Sequence, residues 1–123
     1  MDPVPQPEAE FRAHLEAGRF MLQRSRASGG FTFPPRVALP GSGETDLQWV
    51  PASGRGTVHS CTTVRCKPPA ADYNVALIDL AEGPRMMSTV TGIAPAEVRI
   101  GLAVDARIEP GDDGPRVVFV PVR

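Results

Sequence analysis

Proline and glycine interrupt this chain so often that no element in it can be long. Fourteen prolines and twelve glycines punctuate 123 residues. Each proline fixes φ and removes a backbone donor, and each glycine invites a turn. That density favours short strands joined by turns over long helices. With 41% hydrophobic residues the chain can bury a modest core, and its length suits one domain or a small module leaning on a larger one.

Residues 1–7, with Pro3, Pro5 and Pro7, read as an irregular lead-in. The spacing predicts a short helix from residue 8 to about 19, stopped near Gly18, with Phe11 and Leu15 on one side. Alone such a helix is marginal, so its Phe11/Leu15 face must pack on this chain or on another. Residues 20–48 carry SGG, a Pro34–Pro35 pair and GSGETD, which allow only brief extended pieces between turns. Phe20, Phe31, Phe33, Leu39, Leu47 and Trp49 are too few apolar side chains for that segment to make a core of its own.

From residue 49 onward strands are expected at 57–66, 73–80, 86–91, 102–108 and 116–122. A helical turn fits 94–98, and Gly111-Asp112-Asp113-Gly114 supplies a hairpin turn. Residues 102–108 alternate, with Leu102, Val104, Ala106 and Ile108 on one face. The expected fold is mainly β: an N-terminal helix, a turn-rich segment of brief extended pieces (the ribbon of the resemblance given below) and a five-stranded Greek-key barrel of the OB type, divided at 1–19, 20–48 and 49–123.

Charge and composition narrow the partners. A net charge of −1 gives no electrostatic reason for nucleic acid or an anionic membrane. No apolar run is long enough to span a bilayer, and the acidic, proline-rich N-terminus is unlike a signal peptide. Two cysteines make no disulfide framework, so a cytoplasmic location is expected. The rival reading is a nucleic-acid-binding OB module, which needs a basic groove with stacking aromatics. The expected strands offer only Tyr73 and Phe119, with no basic run.

Candidate chemistry is sparse. Cys61 and Cys66, an odd number apart on one expected strand, fall on opposite faces and pair neither as a disulfide nor on a metal. His59 and Cys61, at i and i+2, share a face and form the best enzyme-like pair, but no third orienting group is evident. Asp72, Asp79 and Glu82 read as solvated strand-edge charges. Of Met86 and Met87, adjacent on a strand, one faces the core and the other solvent or an interface. At Gly54, Arg55 and Gly56, glycines would let backbone N–H groups approach an anion and the guanidinium could fork onto phosphate. A tight turn with an exposed arginine is the simpler reading there.

Specific strings add a resemblance. FPPR at 33–36, DLQWV at 46–50, SGRGTVHS at 53–60, NVALIDLAEGPRMMS at 74–88, VRIGLAVDARI at 98–108 and VVFVPV at 117–122 resemble the zinc-ribbon/OB-fold proteins that accompany thiolases. The resemblance covers nearly all the chain after the helix. It implies a non-catalytic accessory subunit of a thiolase-fold enzyme (a thiolase, acyltransferase or aldolase) acting on acyl-CoA or related acyl substrates. On that reading the nucleophile and bases lie on the partner. Gly54, Arg55 and Gly56 become candidate contacts for CoA phosphate, and Phe11, Leu15, Phe33, Pro35 and Arg36 candidate contacts for the partner. The family's ribbon carries two CxxC pairs flanking FPPR. By alignment to that run the ligand positions here are Ser25, Ser28, Leu39 and Ser42. None of these can hold zinc, which needs thiolate or imidazole donors. No metal and no other cofactor is therefore expected, and packing or a partner must order the ribbon.

Overall fold

The computed structural model describes residues 6–112 and 114–122. Residues 1–5 of the expected lead-in and Asp113 of the expected hairpin turn lie outside the described residues. Helix α1 (Pro7–Glu16) begins on a proline and carries Glu8 and Glu10 in its first turn, where negative charge suits the helix dipole. It ends two to three residues earlier than the sequence predicts. Gly18 adopts φ +81°, its N–H donates to the Leu15 carbonyl at 2.9 Å, and the Arg19 N–H donates to the His14 carbonyl at 2.9 Å. These two bonds form a Schellman cap, so Gly18 stops the helix by closing it from outside.

Strands β1 (Met21–Ser25), β2 (Phe31–Thr32) and β3 (Leu47–Pro51) form a small antiparallel sheet in the order β2-β1-β3. Trp49 pairs with Gln23 in this sheet. A second sheet follows from β4 (Arg55–Val64), β5 (Tyr73–Leu80), β6 (Arg85–Ser88), β7 (Ala103–Gly111) and β8 (Gly114–Pro121), in the order β6-β5-β4-β7-β8. Val90, just past β6, forms a parallel bridge to Phe119 of β8. The Thr91 N–H donates to the Phe119 carbonyl at 2.8 Å, and the Phe119 N–H to the Thr89 carbonyl at 3.0 Å. The sheet thus curls until its two edges meet. With one 3-10 turn (Pro95–Glu97) between β6 and β7, this is the five-stranded OB arrangement the strand pattern predicts.

Three details differ from the sequence reading. β4 ends at Val64, so Cys66 lies in the loop beyond it. Arg55 and Gly56 belong to β4, and only Gly54, with φ +81°, makes the turn. Finally, β4 slips register against β5 between Val58 and Ser60, leaving His59 as the bulged residue. A bulge reverses the parity of side chains beyond it.

One core serves both sheets. Phe119, Ile78, Val58, Val104 and Val90 are buried, and Leu22 of β1 belongs to the same cluster, with Phe20, Phe31 and Phe33 packed against it. The ribbon, too poor in apolar residues for its own core, borrows the barrel's. Asn74 locks the barrel's seam: its amide Nδ2 donates to the Val90 carbonyl at 2.6 Å and its Oδ1 accepts from the Val90 N–H at 2.8 Å. Losing that side chain would strand two buried backbone groups, at about 1–3 kcal/mol each.

Candidate functional site

The four positions expected to have lost metal ligands lie at the ribbon tip. Ser25 ends β1 and is buried; Ser28 sits in the turn that follows; Leu39 and Ser42 lie in the second turn, which leads to Glu44. The Glu44 carboxylate accepts hydrogen bonds from the Ser25 Oγ and from the Ser28 Oγ, the latter at 3.1 Å. The Ser28 N–H donates to the Ser25 Oγ at 3.2 Å, and the Glu44 N–H to the Ser42 Oγ at 3.3 Å. The Leu39 N–H donates to the Glu44 carbonyl at 2.7 Å, closing the second turn. Glu44 is thus the meeting point of both turns. Its pKa is lowered from the ordinary carboxylate value, chiefly by the Ser25 hydrogen bond; partial burial opposes this, while Ser28 and Ser42 add to it.

This donor set does not fit zinc. Three neutral hydroxyls, an alkyl chain and one carboxylate offer neither thiolate nor imidazole. Among the described residues no three His, Cys, Asp or Glu side chains gather where they could hold a metal ion. Sequence reasoning missed Glu44 by reading GSGETD as turn alone. The three serines around an acid at 44 were the available signal.

The segment Ser53–Gly56 enters β4 beside a cleft between ribbon and barrel lined by Arg19, Phe20, Gly54 and Arg107 among others. Its donors are partly engaged already. The Glu82 carboxylate accepts the Ser53 N–H at 2.7 Å, and the Arg55 N–H donates to the Ser53 Oγ at 3.2 Å. Gly54 serves the turn, with φ +81°, and Gly56 serves packing. A Cβ on Gly56 would lie 2.6 Å from Ile78 Cγ2 and 3.1 Å from the Asp79 carbonyl oxygen. Gly54 lies close to Ala106, whose N–H donates to the Gly54 carbonyl at 2.7 Å. Arg55 is exposed.

The residues singled out as partner contacts divide into two groups. Phe11 packs its ring on Phe20, Phe33 and Trp49, and Leu15 is only 6% exposed. The helix face therefore packs on this chain, the first of the two possibilities. Phe33 and Pro35 remain half-buried and Arg36 exposed. Gln23 holds that run in place: its Nε2 donates to the Arg36 carbonyl at 2.7 Å and its Oε1 accepts the Arg36 N–H at 2.6 Å.

The expected Cys61/His59 face does not exist, because the bulge at His59 separates them. His59 Nδ1 lies 3.3 Å from an Asp79 carboxylate oxygen on the outer surface, whereas the Cys61 thiol points to the Val98 carbonyl at 3.4 Å. Asp72, Asp79 and Glu82 do not cluster. They bind, respectively, the Cys66 N–H, the Arg85 guanidinium and Ser53. Met86 is buried and Met87 is 69% exposed, dividing as expected.

Fold and site together define a small ribbon-plus-OB-barrel protein whose polar clusters brace turns. Its sequence matches the family described as "ChsH2, C-terminal OB-fold domain" over residues 49–109. A "DUF35 domain-containing scaffold protein" from Methanocaldococcus jannaschii is 34% identical over 100 residues, covering 74% of this chain and 71% of that protein. The solved structure "Ltp2-ChsH2(DUF35) aldolase" contains a chain with TM-score 0.82 and 30% identity, covering 98% of both. The chain belongs to the DUF35 family. A "Probable enoyl-CoA hydratase alpha subunit" from Thermomonospora curvata is 37% identical over 89 residues, covering 70% of this chain and 28% of that protein. This chain therefore spans under a third of that relative's length. No helix among the described residues is long and apolar enough to cross a membrane.

Proposed function

We propose that this chain is a non-catalytic accessory subunit that assembles with a thiolase-fold enzyme acting on acyl-CoA or a related acyl substrate. The observation that carries the reading is the end-to-end likeness to the DUF35 chain of the structure named an aldolase, at 98% coverage of both chains. The names "scaffold protein" and "hydratase alpha subunit" among relatives point the same way. The separation of Cys61 from His59 supports it from within, since the best nucleophile–base pair is dismantled by the bulge.

Within that reading, the FPPR run is the partner-facing feature. Gln23 fixes its backbone while leaving the Arg36 side chain exposed. Contact with CoA phosphate rests on Arg55, aided by Arg19 and Arg107 at the neighbouring cleft, because Gly54 and Gly56 serve the turn and the core. Reconstitution tests the proposal. The purified chain alone is expected to turn over no acyl-CoA, and adding it to its thiolase-fold partner to raise that partner's activity or stability. Turnover by the chain alone would refute it.

A further inference from the structure

We infer that Glu44 replaces a structural metal as the cross-link of the ribbon, joining its two turns through serine hydroxyls that stand at the ligand positions. A tetrahedral metal would tie the turn after β1 to the turn at 39–42 by binding two ligands from each. Here one residue makes the same connection, its carboxylate binding the first turn and its backbone the second. Ser25 and Ser28 of the first turn both donate to Glu44, while Ser42 and Leu39 of the second bind its N–H and carbonyl. The first turn is further closed by Gly29 N–H to Ser25 O at 2.8 Å and Ser25 N–H to Gly30 O at 2.8 Å, the second by Gly43 N–H to Leu39 O at 2.9 Å.

The chemistry suits the task. Hydroxyls are poor zinc ligands at neutral pH but good donors to an anion, and hydrogen bonds to a charged acceptor are about twice as strong as neutral ones. Serine at three of the four ligand positions, leucine at the fourth and one acid beside them therefore exchange a metal-dependent knuckle for one needing no metal. The inference concerns only this chain's folding and stands whether or not the proposed partner is correct.

Hydrogen exchange on the full chain tests it. In Glu44→Ala, amides of Ser28, Gly29, Leu39 and Gly43 are expected to exchange roughly tenfold faster, with those of Ile78 and Val104 unchanged. Glu44→Gln, which keeps an acceptor without the charge, is expected to fall between. Chelator is expected to leave the native pattern unaltered, with elemental analysis finding far less than one zinc per chain. Unchanged exchange in Glu44→Ala, or stoichiometric zinc whose removal loosens the turns, would overturn the inference. If Glu44→Ala loses barrel protection as well, Ser25→Ala and Glu44→Gln decide by the same readout: local acceleration supports the cross-link, and none overturns it.

Discussion

Gln23, Glu44 and Asn74 do much of this chain's specific work, and each does it by standing in for something else. Gln23 and Asn74 present amides that pair with a distant backbone as a neighbouring strand would. Their partners lie 13 and 16 residues away, so no local pattern reveals them. Gly56 and Arg55 illustrate how one short motif divides between structure and function. Gly56→Ala forces a Cβ against Ile78 and the Asp79 carbonyl, and is expected to cost about 1–3 kcal/mol of stability. Arg55→Ala, at an exposed site, is expected to change stability by less than about 0.5 kcal/mol. In the reconstituted complex it should nonetheless raise KM for acyl-CoA several-fold. Thermal unfolding and steady-state kinetics on both variants check the division. An unchanged KM in Arg55→Ala would remove the phosphate contact.

At the scale of elements, the strands were readable and their phase was not everywhere. Residues 73–80, expected as a strand, form β5 with every second residue buried, as successive side chains of a regular strand point to opposite faces. In β4 the same parity argument fails, since an extra residue at His59 inverts the faces and no sequence signal marks it. The ribbon's brief extended pieces were legible from its turns, but the acid at their junction was not. That junction has a pH dependence. Because the folded-state pKa of Glu44 is lowered, its stabilising contribution is fully present above the ordinary value of 4.5 and is lost as pH falls through the folded value. The gap in urea midpoint between the native chain and Glu44→Gln is therefore expected to be widest near neutrality and to close on acidification below the ordinary value of 4.5, as the folded carboxylate takes up its proton. A gap that persists or grows in acid would contradict the role assigned to this carboxylate.

Across the whole molecule, the ribbon and barrel are bound by one core running from Leu22 to Phe119. The apolar residues that looked too few to sustain residues 20–48 are sufficient because they complete a neighbour's interior. This construction ties the FPPR run and the turn into β4 to one shared core. Such a core suits a scaffold, whose contribution is to hold a surface in register against an enzyme rather than to move or react. The central claim is best tested by purifying the tagged chain from its native cells and identifying what is retained. A thiolase-fold enzyme recovered in fixed stoichiometry, with acyl-CoA activity found in the complex and absent from the isolated chain, is the expected result. Recovery without any such enzyme, or acyl-CoA turnover that stays with the chain alone, would contradict it.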